Sequence, residues 1–254
     1  NKKMEAKKII ITGGATRIGA AIAKSLINFD TKIVIHFNRS KNSALKLKKE
    51  LEELGAETFV LKADLNNFKQ TNSLIKNAYK KMKGLDCLIN NASVFENDNL
   101  ENFSEKSFSK HININLKAPA ILTQNFNKLM KNKEGCIVNI IDQRVEKLTP
   151  FFFSYTLSKA SLAILTKTSA MRLAPNIRVN GISPGPTLKN KRQSERHFKK
   201  QWKSIILRKK VDLENICNGV KFLIESKSVT GEIINIDGGQ RLAWQTPDII
   251  NAKE

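Results

Sequence analysis

Cysteine is scarce in this chain: Cys87, Cys136 and Cys217 are the only three in 254 residues. They are odd in number and show neither C-x-x-C spacing nor histidine-linked spacing, so neither a disulfide framework nor a zinc site is indicated, and a reduced cytosolic compartment is the simplest setting. Long apolar runs are missing too. Nothing approaches the ~20 residues that span a bilayer, and the start, N-K-K-M-E-A-K-K, lacks the apolar centre of a signal peptide. Negative charge is the other shortage, with 23 Asp and Glu against 44 Lys and Arg for a formal net charge of +21. Such an excess raises the question of nucleic-acid or membrane binding. Yet Lys46, Lys48, Lys49, Lys80, Lys81 and Lys83 are spread over helical stretches and do not form one tract with interleaved aromatics. The charge reads as a solvated surface, with a share available to anionic ligands.

What is there suits one α/β domain over residues 1–254, because 41% apolar residues supply a full core at this length. Apolar β-rich runs alternate with amphipathic helical stretches, the order expected of a doubly wound, mostly parallel, seven-stranded Rossmann-type sheet. Strands are expected at 8–12, 32–37, 57–62, 86–89, 136–141, 177–182 and 232–236. Helices are expected from the first glycine-rich turn to about 28, at 42–54, at 68–82, after Ser104, and around Tyr155 to about 173. Pro119 is expected to bend or end the fourth of these. Ser104 lacks the glutamate three residues on that completes a capping box. There is no repeat, low-complexity tract or linker.

Between the first strand and helix stands Thr12-Gly13-Gly14-Ala15-Thr16-Arg17-Ile18-Gly19. Glycines there permit a tight turn and bring backbone N–H groups close to a pyrophosphate at the helix N-terminus. The second strand ends in His36-Phe37-Asn38-Arg39-Ser40, where a NAD site carries a carboxylate for the ribose hydroxyls. A carboxylate repels a 2′-phosphate, whereas Arg39 and Ser40 can hold one, so NADPH is favoured over NADH; an ordinary exposed charge is the other reading of Arg39. Tyr155 and Lys159, four residues apart, share one helical face, and Asp142 ends an apolar run upstream. A free phenol titrates near ~10. A neighbouring ammonium favours the phenolate and is expected to draw the Tyr155 pKa down.

Together with Asn90-Asn91-Ala92-Ser93-Val94-Phe95 and Ile182-Ser183-Pro184-Gly185-Pro186-Thr187, these motifs resemble, in order, those of the short-chain dehydrogenase/reductases, and most closely the pteridine reductases. The resemblance covers about Lys8 to Gly239. In the broad family a serine stands twelve to fourteen residues before the tyrosine; Asp142 is there instead, as in pteridine reductases. Arg17 replaces the loop's middle glycine, again as in pteridine reductases, and must point at the anionic cofactor or reach towards the substrate.

The resemblance implies a cofactor site of Gly13, Arg17, Ile18, Gly19, His36, Asn38, Arg39, Ser40, Asp64, Leu65, Asn91, Ala92, Ser93, Ile140, Tyr155, Lys159, Pro184, Gly185 and Thr187. Without it, Asp64 reads equally as a helix cap. The implied catalytic set is Asp142, Tyr155, Lys159 and Asn115. For Asn115 the family role is ordering a water relay to the lysine; Asn113 or Asn115 could equally satisfy backbone groups at a helix bend. The implied substrate set is Arg17, Ser93, Phe95, Asp142, Tyr155 and Leu188, with Phe95 stacking on a pterin. The basic segment 188–211, with Arg192, Arg196, His197 and Trp202, falls where the family has a variable, partly mobile lid. Trp244 in the tail is a candidate for a subunit interface, tetramers being frequent in the family.

The implied activity is NADPH-dependent reduction of a dihydropterin or dihydrofolate-like ring to the tetrahydro form. The alternatives are a 3-oxoacyl carrier-protein reductase or other carbonyl reductase, and a non-catalytic NADPH-binding or nucleic-acid-associated regulator. The expected setting is cytoplasmic, with no specific nucleic acid and no membrane.

Overall fold

A computed structural model describes residues 8–28, 30–190, 193–244 and 246. Its strands are β1 (Lys8–Ile11), β2 (Lys32–Phe37), β3 (Glu57–Lys62), β4 (Cys87–Asn90), β5 (Gly135–Ile140), β6 (Ile177–Pro184) and β7 (Ile233–Ile236). They form one sheet in the order β3-β2-β1-β4-β5-β6-β7, and every neighbouring pair is parallel, so the sheet is wholly and not mostly parallel. The strand order reverses between β1 and β4, and the carboxyl ends of those two strands open a crevice where doubly wound sheets bind ligands.

Side-chain alternation along the strands builds a core on each face. Ile9, Ile11, Ile33, Ile35, Ile89 and Val138 pack on one side; Ile10, Val34, Leu88, Ile137 and Val179 pack on the other. The first layer is covered by α1 (Arg17–Ser25), α2 (Lys41–Glu53) and α8 (Leu213–Glu225), the second by α3 (Phe68–Met82), α5 (Ala118–Met130) and α6 (Phe153–Leu173). Helix α8 was not among the expected elements, although Ile216, Val220, Leu223 and Ile224 carry the helical period and are buried. The three cysteines are buried and free. No described helix is long and apolar enough to cross a membrane.

Helix α4 (Glu105–Ile112) starts with half a capping box: Ser104 Oγ accepts the Ser107 N–H at 3.1 Å. It runs without a break through a π-helical turn at Asn113–Lys117 into α5. Pro119, in the first turn of α5, has no N–H for the preceding turn, so the wide turn sits just before it, and the expected break is a bulge. Segment 188–211 contains α7 (Glu195–Lys203), anchored by buried Phe198; Arg192 lies outside the described residues.

Candidate active site

The crevice is a cleft of about 540 Å³ that runs from Arg39 and Ser40 past the glycine loop to Lys159 and Pro184. Every expected cofactor and substrate residue lines it. Gly13 is left-handed at φ 59°, and a Cβ there would meet the Ala92 Cα at 2.9 Å, so only glycine lets the loop lie against the end of β4. A Cβ on Gly19 would come within 2.5 Å of Asn91 Nδ2. Helix α1 has neither a capping side chain nor an acidic residue in its first turn, so its leading N–H groups and positive end face the cleft without an internal anion.

His36 lines the cleft from beneath this loop, with its ring almost wholly buried. Its Nδ1 accepts the Gly13 N–H at 3.0 Å and its Nε2 donates to the Ala63 carbonyl at 3.0 Å, tying the loop to the ends of β2 and β3. Both nitrogens are used and the ring is 2% exposed, so the neutral tautomer is locked and burial drops the pKa from 6.5 to about 4. A proton taken up by the unfolded chain below pH 6.5 finds no place in the folded one. Stability is therefore full above pH 6.5 and falls towards pH 4, by up to roughly 3 kcal/mol. Urea midpoints measured from pH 7 to pH 4 are expected to show this slope, and His36→Asn, which keeps an acceptor for Gly13, is expected to flatten it.

Arg39 is exposed at the cleft end with no ion pair among the described residues, and the Ser40 hydroxyl leaves the N-terminus of α2 uncapped. That pairing of a free guanidinium and a free hydroxyl at a helix N-terminus suits a phosphate. Arg17 takes the left-handed backbone (φ 55°) natural to the glycine it replaces, and donates to the carbonyls of Leu188 and Lys189 at 3.0 and 2.9 Å. It thus fastens the start of the 188–211 segment to the glycine loop. Asp64 accepts the Asn66 N–H, while Asn67 caps α3.

At the other end Tyr155 Oη donates to Asp142 Oδ2 at 2.8 Å, and Asp142 Oδ1 accepts the Arg144 N–H at 2.9 Å. Lys159, 2% exposed, donates to the Ile140 carbonyl at 2.7 Å and has two further N–H groups for the cleft. The expected lowering of the phenol pKa does not hold for the protein alone. Burial and the Asp142 carboxylate push Tyr155 well above its usual range, because Asp142, not Lys159, is the charge in contact with the hydroxyl. Burial likewise raises Asp142 against the pull of Arg144, Tyr155 and Lys159, and lowers Lys159 from 10.5 to about 8. The result is a phenol that keeps its proton well above the usual range, in contact with a carboxyl group raised by burial, with the Lys159 ammonium on the same helical face.

Asn115 does not reach towards Lys159 with its side chain. Oδ1 accepts the Val94 N–H at 2.9 Å and the Ser93 hydroxyl at 3.2 Å, while Nδ2 donates to the Val94 carbonyl and to Ser158 Oγ, both at 3.0 Å. These bonds satisfy the Val94 peptide and pin the exit of β4, and with it Phe95. The Phe95 ring packs edge-on to Tyr155 (centroids 4.6 Å, 72°) and flat on Phe152 (4.5 Å, 6°), and it lines the cleft.

Two contributors lay beyond sequence reasoning. Phe152, left-handed at φ 58°, cannot cap α6 with its own side chain, and Asp98 does so from 56 residues away, accepting the Ser154 N–H at 3.0 Å and the Ser107 hydroxyl at 3.0 Å. The Tyr155 helix is thus aimed by a loop carboxylate. Arg144 stacks on Phe152 at 4.4 Å from the ring centroid. No local pattern marks either residue.

The family model for short chain dehydrogenases matches residues 7–201. The fold is similar to the crystal structure of FolM alternative dihydrofolate reductase 1 from Brucella suis in complex with NADP, at 40% identity and TM-score 0.91 over 96% of this chain and 98% of that one. The Brucella canis counterpart, also complexed with NADP, gives 38% identity and TM-score 0.90 over 98% and 99%. Among curated proteins, the 3-oxoacyl-[acyl-carrier-protein] reductase FabG of Staphylococcus epidermidis is 26% identical over 92% of this chain and 98% of its own.

Proposed function

The chain belongs to the short-chain dehydrogenase family, and from that premise we propose that it is an NADPH-dependent reductase of a pterin, taking a dihydropterin or dihydrofolate-like ring to the tetrahydro form. The observation that carries this is the Asp142–Tyr155 hydrogen bond in a cleft walled by Phe95. Asp142 stands where a carbonyl reductase of the broad family needs a serine hydroxyl to polarise its substrate. A carboxyl group whose affinity for a proton is raised by burial can give or accept a hydrogen bond, which suits a nitrogen heterocycle with both donors and acceptors.

The residues present fit the cofactor: uncapped α1 for the pyrophosphate, Arg39 and Ser40 for a 2′-phosphate, Lys159 for ribose hydroxyls, and the Pro184–Thr187 turn for the nicotinamide amide. When bound, NADPH supplies the hydride that reduces a ring C=N carbon. Tyr155 Oη gives its proton to the nitrogen of that bond, leaving a phenolate. Asp142, in contact with that oxygen, holds the next proton, and the Lys159 cation lowers the cost of the phenolate. Phe95 offers an aromatic wall that keeps a flat ring in register. Leu188, whose carbonyl Arg17 holds, lines the cleft with Asn190 and Phe198 of α7, and together they limit water at its opening.

The test is NADPH oxidation by purified protein with dihydrobiopterin or dihydromonapterin, run beside an acetoacetyl thioester. Turnover of the thioester alone would return the assignment to the carbonyl reductases. For the cofactor half, Arg39→Glu is expected to raise the KM for NADPH about 10–100-fold, the worth of a charge-assisted hydrogen bond. The KM for NADH should change little. A self-assembled tetramer belongs to this reading; the exposed apolar row Leu157, Ile164 and Met171 on α6 supports it.

A further inference from the structure

Three polar side chains near Asp142 take no part in the chemistry above. The Arg144 guanidinium lies over the Phe152 ring, 4.4 Å from its centroid, and Phe152 stacks on Phe95; among the described residues none of its N–H donors has a hydrogen bond or ion pair. Gln143 is 5% and Gln240 9% exposed; both line the same cleft, and the turns that carry them, Gln143–Val145 and Gln240–Leu242, pack together. The Oε1 of each is buried with no hydrogen-bond partner among the described residues. Buried amide oxygens without partners are uncommon because they forfeit their hydration, and turning the amide to bond an acceptor on a ligand exchanges that oxygen for the NH2. An amide can also turn its NH2 towards a bound group.

We propose that Gln143, Arg144 and Gln240 form a subsite for a carboxylate carried on a substituent of the reduced ring. The inference rests on the pterin reading and narrows it: acid-tailed pterins of the dihydrofolate kind are preferred to pterins with neutral side chains. The guanidinium, seated over the phenyl ring, offers paired N–H donors to a carboxylate, and each amide of the same cleft adds a neutral donor once turned so that its NH2 faces the ligand. The chain's +21 charge adds a field that draws an acidic substrate in.

The test compares dihydrofolate with dihydrobiopterin. Arg144→Met is expected to raise the KM for dihydrofolate by about tenfold or more relative to any change for dihydrobiopterin, with the effect on KM exceeding that on kcat. Arg144→Lys should recover part of the loss. Added salt should raise the dihydrofolate KM of the unmodified enzyme more steeply than that of Arg144→Met. Gln240→Leu should raise the urea midpoint, since an orphaned amide is gone, while raising the dihydrofolate KM; a merely structural glutamine would move only the first. Equal KM changes for both substrates, or none, with pterin turnover intact, would overturn the subsite and leave the assigned reaction standing. No turnover of either pterin by the unmodified protein would overturn both.

Discussion

Tyr155→Phe is expected to lower kcat for pterin reduction by about 10²–10⁴-fold, the usual worth of a placed general acid, while NADPH still binds. The ring is 5% exposed and packs against Phe95, and phenylalanine preserves those contacts. Lys159 keeps its bond to the Ile140 carbonyl, so the ammonium proposed to hold the cofactor's ribose is untouched. What is lost is the hydroxyl proton that Tyr155 holds against Asp142. The orphaned Asp142 oxygen costs stability of about 1–3 kcal/mol, so fluorescence titration with NADPH and a urea melt should accompany the rates. A variant that binds NADPH and still turns over at more than a tenth of the normal rate would remove Tyr155 from the chemistry.

The second large effect concerns Asp142. Asp142→Asn keeps an oxygen for the Arg144 N–H and the same shape, but it cannot hold or return a proton. A kcat loss of about 10²–10³-fold is expected, with a changed pH profile. Burial raises the Asp142 pKa, so the normal enzyme keeps this proton to higher pH than an exposed carboxyl group does, then loses activity as pH rises through that titration. The asparagine variant should lose that limb. Loss of the Lys159 charge near its pKa of about 8 should persist in both, as a decline in kcat/KM for NADPH on the alkaline side. An unchanged profile in the variant would show that Asp142 only positions the phenol.

Much of the scaffold was legible because strand periodicity and glycine punctuation are local. β2, β3 and α3 lie at the expected residues, and the remaining strands agree within one or two. The glycine-rich turn after β1 was legible for the same reason, since left-handed backbone and close approach demand glycine at Gly13. Helix α8 was missed although its period is local, which is a failure of reading and not of signal. The pKa of Tyr155 was different. Four-residue spacing to Lys159 is visible in the chain, whereas the distance to Asp142 and the burial of all three groups are not.

By itself the sequence determined a parallel α/β sheet, a glycine-loop dinucleotide crevice that lacks a ribose carboxylate, and a tyrosine and lysine on one helical turn. Each depends on neighbours within a few residues, where backbone geometry dictates spacing. Only the tertiary structure decided that His36 sits behind the loop, that Asp98 caps the Tyr155 helix, and that Arg144, Phe152 and Phe95 stack. The reason is physical: burial and charge act through space, and the groups that hold Tyr155's proton come from segments that meet only when the sheet has assembled.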